Sequence, residues 1–273
     1  MSPVGPAPGR LRVATWNLNS LRARLPSVER FLERAAPDIV CLQETKAATL
    51  SADAMALFAR HDYRAEHVGE GGYNGVAILS RYELSELRAS GGFGDEALDR
   101  EPRVISAVVG WSTPIRVVSV YVPHGRDLEH WHYRYKLDFL AALASSAEGW
   151  LAAPGHVVVA GDINVAATDS DVFHPDAFAG ATHVSRPERD ALARLHRAGL
   201  VDVDVAVWGQ RARRFTWWNH GIGYARNLGM RIDHIAVDAA LAARVDTTWI
   251  DHTERGGERP SDHAAVVADF HLS

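Results

Sequence analysis

Two β-sheets packed face to face and flanked by helices, in one α+β domain, is the fold this sequence predicts. Apolar runs of strand length recur from residue 11 to residue 270, with helical stretches between them. They come with neither a GxGxxG fingerprint nor a strict strand–helix–strand rhythm, which argues against one parallel sheet. Beyond the first residues, no repeat, low-complexity tract or linker-like break divides the chain.

In order along the chain, residues 1–10 (MSPVGPAPGR) read as a disordered leader without the apolar core of a signal peptide. The runs at 11–17 and 38–44 read as buried strands. Between them a helix over 25–36 repeats Leu25, Val28, Phe31 and Leu32 at helical spacing and stops at Pro37. A second helix over 51–60 leads to a strand at 63–68, and Gly71-Gly72-Tyr73-Asn74-Gly75 turns the chain into a strand at 76–80. Strands at 104–111 and 115–122 pair around Ser112-Thr113-Pro114, and an amphipathic helix covers 131–151. The strand at 156–160 ends in Gly161-Asp162. After a long loop come a helix over 187–198 and strands at 215–218, 232–237, 244–250 and 264–270. A boundary near residue 153 is a second option, but polar residues suited to chemistry lie on both sides of it, which favours a single domain over 11–273.

The composition, 47% hydrophobic and 23% charged, is that of an ordinary soluble globular protein, and no apolar run reaches membrane-spanning length. The single cysteine, Cys41, excludes an intramolecular disulfide and fits a reducing cytoplasm. A net charge of −5 argues mildly against a nucleic-acid partner, although local fields decide that question. Lys46 and Lys136 are the only lysines; the other basic residues are arginines, which suit bidentate phosphate contacts and equally fit a GC-rich genome.

The chemistry-bearing residues sit where apolar runs end: Asn17, Glu44 in Gln43-Glu44-Thr45-Lys46, Asp162 and Asn164, Asp233 in Arg231-Ile232-Asp233, and Asp262-His263. Phosphodiester hydrolysis needs such a set: oxygen ligands for a hard metal, a base for water, and donors for the charge that develops on phosphorus oxygens. Asp162 and Asn164, two apart, leave a strand end on one face, though alone they fit an Asx-turn as well. Glu44 with a nearby amide such as Asn17 offers the oxygens Mg2+ prefers, and alone is also a plausible surface glutamate. Asp233 could fix the tautomer of His263 and raise its pKa. Tyr121, His124 and Arg126 fall together where a strand becomes a loop. Of Trp217-Trp218, alternation assigns one to the core and leaves the other as a flat apolar surface for a base or sugar.

Taken in order, these segments resemble the exonuclease III family of abasic-site DNA endonucleases, within the endonuclease/exonuclease/phosphatase superfamily. The matching stretches are Thr15-Trp16-Asn17 through Arg24, Leu42 through Lys46, Gly72 through Arg81, Tyr121-Val122-Pro123, Gly161 through Ala166, Met230 through Asp233, and Ser261-Asp262-His263. The resemblance implies a four-layered αββα sandwich with two mixed sheets and its site at one end. It implies Glu44 as principal metal carboxylate, supported by Asn17 and Asp262, with a second metal position at Asp162, Asn164 and His263. Asp162 would orient or deprotonate the attacking water, Asn164, Tyr121 and His263 would contact the phosphate, and Asp233 would orient His263. Arg22, Lys46, Tyr73, Arg103 and Arg126 would grip the DNA backbone, and Trp217, Met230 and Ile232 would form the pocket for a flipped-out baseless sugar. The expected cofactor is Mg2+, with Mn2+ as a substitute. The expected substrate is duplex DNA with abasic sites or 3′ blocks, cut by a cytoplasmic monomer of bacterial type.

The sequence departs from that pattern at His124, where an amide is usual and where the imidazole is expected to titrate near neutral pH. It departs also at Glu101-Pro102, Asn219-His220 and Gly221-Ile222-Gly223. Two other functions remain open at this level: a phosphatase or phospholipase acting on a non-nucleic-acid phosphoester, and a DNA-binding relative with weakened catalysis.

Overall fold

The computed structural model describes residues 9–89, 92–219 and 221–272. The first half runs β1 (Arg10–Asn17), α1 (Leu21–Ala35), β2 (Ile39–Gln43), α2 (Ala52–Arg60), β3 (Arg64–Val68), β4 (Val76–Ser80), β5 (Leu84–Ala89), α3 (Glu96–Asp99), β6 (Val104–Val109) and β7 (Ile115–Tyr121). The second runs α4 (Trp131–Ala152), β8 (His156–Asp162), α5 (Arg186–Arg197), β9 (Leu200–Asp202), α6 (Val203–Trp208), β10 (Trp217–Trp218), β11 (Gly229–Met230), β12 (Asp233–Asp238), α7 (Ala239–Ala242), β13 (Val245–Asp251) and β14 (Ala265–His271).

One six-stranded sheet has the order β13-β14-β1-β2-β4-β3, the other β5-β6-β7-β8-β12-β9. Each contains a single parallel pair, β1 with β2 through α1 and β7 with β8 through α4, and is otherwise antiparallel. Strand alternation builds the layers. Leu11, Val13, Ile39, Cys41 and Ile78 point from the first sheet into the gap between sheets, where they meet Ile105, Val117, Val158 and Ile235. Their neighbours Ala14, Trp16, Val40 and Leu42 point outward onto Phe31, Leu32 and Phe58 of α1 and α2. On the far side Val118, Val120, Val157 and Val159 meet Phe139, Leu140 and Leu143 of α4 and Leu192 and Leu195 of α5. Both faces of each sheet are covered, so the central strands read as unbroken apolar runs rather than alternating ones. The result is the four-layered αββα sandwich with mixed sheets.

Several local expectations are corrected. Arg10 is the first residue of β1, paired with His271, and not part of a leader; residues 1–8 lie outside the described residues. Helix α1 begins at Leu21 rather than 25: the Ser20 side chain caps it by accepting from Ala23 N, and Pro26 lies within it instead of opening it. The strand expected at 215–218 shrinks to Trp217–Trp218. Strand β5 went unread because its residues are mostly exposed and polar, as suits a sheet edge. Among the described residues, no helix is long and apolar enough to cross a membrane.

Candidate active site

Topology alone brings the polar strand ends to one rim. The parallel pair β1 and β2 ends with Asn17 beside Gln43, and the parallel pair β7 and β8 ends with Tyr121 beside Asp162. Strand β12 runs antiparallel to β8, so its first residue, Asp233, is the register partner of Asp162. Strand β14 runs antiparallel to β1, which leaves Ser261-Asp262-His263 at the same end. There Ser261 Oγ donates to Asn17 O at 2.7 Å and Trp16 Nε1 to His263 O at 3.2 Å. Gly161 permits the approach of β7 to β8, because a Cβ there would lie 1.9 Å from Val120 O.

The groups at this rim are mutually committed. Asn17 Nδ2 donates to Glu44 Oε1 and to Asp162 Oδ2, both at 2.9 Å, joining the two sheets. Its oxygen accepts from Asn19 N at 3.0 Å. Asn17 thus holds two carboxylates by its amide hydrogens. His263 Nδ1 lies 2.8 Å from Asp233 Oδ2, and its Nε2 lies 3.8 Å from Asp162 Oδ2. Asp262 accepts from Asn19 Nδ2 and Trp217 Nε1, each at 3.0 Å. Asn164 N donates to Asp162 Oδ1, Asn164 Nδ2 to Val122 O, and Asn164 Oδ1 lies 3.0 Å from His183 Nε2. Glu44, Asn164 and His183 have φ of 48°, 54° and 78°, the left-handed region that non-glycine residues rarely adopt and that often marks functional sites.

Burial sets the charges. It raises the Asp162 carboxyl, His263 opposes it, and Asp233 and Glu44 add to it, leaving the group at about 7. Burial alone would lower the His263 imidazole, but Asp233 and Asp162 reverse that and lift it to about 10, so the ring is a cation. Desolvation, then the Glu44 and Asp162 charges, hold the Tyr121 phenol well above its ordinary range. The His124 side chain is exposed to solvent; partial desolvation, then the Lys136 ammonium, lower its pKa from the ordinary value, a direction that disfavours the charged ring. His124→Asn should accordingly leave the shape of the activity profile between pH 7 and 8 unchanged; a steepened or flattened profile there would show that the ring carries charge during turnover.

A cavity of about 310 Å³ opens at this rim, lined by Glu44, Tyr121, His124, Asp162, Asn164, Asp262 and His263 on its polar side. Phe178, Ala181, Trp217, Met230 and Ile232 line its apolar side. Trp218 is the core member of the tryptophan pair, 1% exposed. Lys46 Nζ sits 3.0 Å from Glu44 Oε2, while Arg22, Tyr73 and Arg126 are exposed. Arg103 corrects the expectation of a backbone-gripping cation. It is 5% exposed, ion-paired with Glu101, and its guanidinium lies 4.8 Å from the centre of the Tyr121 ring, so it supports the phenol from behind. Of the departures, Ile222 is 60% exposed and His220 lies outside the described residues.

Sequence reasoning missed Asn19, Thr182 and His183, which come from loops without periodicity, and Phe178, which ends a single 3-10 turn over Pro175–Phe178. Lys136 was missed as well, although a lysine spaced with Phe139, Leu140 and Leu143 on one helix face was a readable signal.

Glu44 and Asp162 bring carboxylate oxygens within 4.8 Å of each other, and among the described residues the buried Asp233 Oδ1 has no hydrogen-bond partner. The two carboxylates fit a hard divalent cation, while the neighbouring His263, as an imidazolium, has no lone pair to offer one. A second grouping, Glu29, Glu33 and His61, lies on α1 and at the end of α2, where Glu29 is already ion-paired with Arg60.

A model of the endonuclease/exonuclease/phosphatase family matches residues 14–263, from β1 to His263. The chain belongs to that family. This family member is 30% identical to exodeoxyribonuclease III of Haemophilus influenzae over 95% of its own length and 100% of that protein. The solved structure of the 3′ phosphatase NExo from Neisseria, bound to a product DNA hairpin, superposes with a TM-score of 0.88 and 35% identity, covering 95% of this chain and 99% of that one. An AP endonuclease from Archaeoglobus fulgidus gives 0.87 and 34% with the same coverage. The family member described here is a phosphodiester-hydrolysing nuclease of the exodeoxyribonuclease III and AP endonuclease type.

Proposed function

We propose that the chain is a divalent-metal-dependent DNA repair nuclease that incises duplex DNA 5′ to abasic sites and clears 3′ ends, with Mg2+ as its ion, acting as a cytoplasmic monomer. The observation that carries this reading is the meeting of Glu44, Asp162, Tyr121, Asn164 and His263 in one cavity whose other wall is apolar. Glu44 is the principal carboxylate for the ion, and Asp162 and His263 border the same position. A cation bound there would supply positive charge to the phosphate oxygens and the departing oxygen.

Asp162, held by Asn17 and by Asn164 N, takes a proton from water as the water oxygen bonds to phosphorus. The P–O3′ bond breaks, and O3′ takes a proton from solvent water to give a 3′-hydroxyl. The His263 imidazolium, locked by Asp233, and the protonated Tyr121 phenol donate to the phosphate oxygens as charge grows on them. Asn164 has one amide hydrogen beyond that given to Val122 O, which is available for the same phosphate. Trp217, Met230 and Ile232 offer a baseless sugar an apolar wall with no group to pair a base edge. Exposed Arg22, Tyr73 and Arg126, with Lys46, suit backbone contacts.

A second reading, in which 3′-end processing outweighs internal incision, is favoured by His183. Its backbone has a φ that suits glycine, yet an imidazole stands there in the cavity lining beside His124, their ring centres 4.5 Å apart, and narrows the cavity. The Neisseria relative named as a 3′ phosphatase supports the same emphasis.

One assay tests both. A labelled duplex with a central tetrahydrofuran and a second with a recessed 3′-phosphate are incubated with Mg2+ and with EDTA. Cleavage of at least one with Mg2+, and neither with EDTA, is expected; full activity in EDTA would contradict the metal site. The ratio of the two rates decides between the readings.

A further inference from the structure

Lys136 is fully buried. It lies on the inward stripe of α4 with His132, Phe139, Leu140 and Leu143, where an aliphatic residue would be ordinary. Its ammonium has three hydrogens to give. Around it stand Glu188 Oε1 at 2.5 Å, Asn164 O at 2.7 Å, His124 O at 3.2 Å and Thr182 Oγ1 at 3.3 Å. Glu188, equally buried, accepts from Thr182 Oγ1 at 2.7 Å, His183 N at 2.9 Å and Ser185 N at 3.1 Å. This one ion pair ties the loops that follow β7 and β8 to the segment that precedes α5.

Those loops hold conformations their own backbones disfavour. Asn164, Arg126 and His183 are left-handed, with φ of 54°, 64° and 78°. Gly125 is pressed so closely that a Cβ would sit 2.6 Å from Thr182 Oγ1 and 3.2 Å from Lys136 Cδ. Stability alone does not require an ion pair here, since apolar residues of similar volume often replace a buried pair without loss. What an apolar pair cannot do is hold oxygens from three separate segments at fixed distances.

We infer that Lys136 is a positioning residue for the hydrolysis: through the carbonyl groups of Asn164 and His124 it sets where those two side chains stand beside the phosphate. The inference rests on the active-site reading above. A shift of about 1 Å in such groups costs on the order of 100-fold in rate, so the effect belongs in kcat.

The test is Lys136→Met combined with Glu188→Gln, which removes both charges and leaves no lone buried one. Cooperative unfolding should persist, KM should stay within about threefold, and kcat should fall about 10- to 100-fold on whichever duplex the wild type cuts. Placed in a background carrying Asn164→Ala and His124→Ala, the same pair of changes should cost far less, because both side chains it acts through are gone. A kcat within about threefold of wild type, or an identical loss in both backgrounds, overturns the inference. Should the double variant not fold, Thr182→Val decides: it removes the hydroxyl that bridges Glu188, Lys136 and His124 O, and kcat must fall about fivefold or more, while an unchanged kcat overturns the inference. A wild type inactive on both duplexes sinks the proposed function and this inference with it. An active wild type with an unaffected double variant sinks this inference alone.

Discussion

Asp162→Asn is expected to lower kcat on the preferred duplex by at least ~100-fold, the scale of a general base, while DNA binding measured by fluorescence anisotropy stays close to wild type. The substitution keeps the shape and the oxygen that accepts from Asn164 N, turns an amide N–H toward Asn17 Nδ2, and removes the capacity to take a proton from water. The environment suits that task. Asp162 is 1% exposed, and burial, with Asp233 and Glu44 nearby, lifts it toward neutrality against the pull of His263. Because it must be ionised to act, activity should decline on the acid side of neutrality in the wild type. A variant whose kcat lies within about threefold of wild type would remove Asp162 from the role of base.

His263→Ala is expected to cost about 100- to 1000-fold in kcat, the range for loss of a charged donor to a developing oxyanion. It should also destabilise the fold by about 3–5 kcal/mol, because Asp233 and Asp162 are then left buried without their cation. The pH dependence has a definite sign. The folded-state pKa of His263, about 10, lies above its ordinary 6.5, so the ring's contribution to stability is complete below pH 6.5 and is lost as pH rises through 10. Thermal melts should therefore show the gap between wild type and variant at its widest in mild acid and closing in strong alkali. A gap that widens with pH would mean that the ring is neutral in the folded protein.

Much of this was legible in the sequence because the two sheets are covered on both faces and their strands end in polar residues. The β1 and β2 ends and the Gly161-Asp162-Ile163-Asn164 turn each interrupt an apolar run abruptly, and Asp262-His263 stands just before one; both signals are visible without a structure. What could not be read was orientation. Nothing in the order of residues shows that Asn17 turns its hydrogens to Glu44 and Asp162; the Asn19 N–H on its oxygen sets that orientation. Arg103 was expected at the DNA from the resemblance alone, and its burial against Tyr121 is a property of the packed sheet that the order of residues does not show. His183 and Thr182 stand in a loop whose path is fixed by Glu188 and Lys136, residues that belong to two different helices. Long-range side-chain ties of this kind leave no periodic trace.

In the function proposed above, distant strand ends form one cation site at the open end of the sandwich. Mn2+ titration followed by electron paramagnetic resonance, on wild type, Glu44→Gln and Glu29→Gln, measures it directly. One ion bound by the wild type, with affinity largely lost in Glu44→Gln and unchanged in Glu29→Gln, is the predicted result. Equal affinity in the wild type and Glu44→Gln would contradict it.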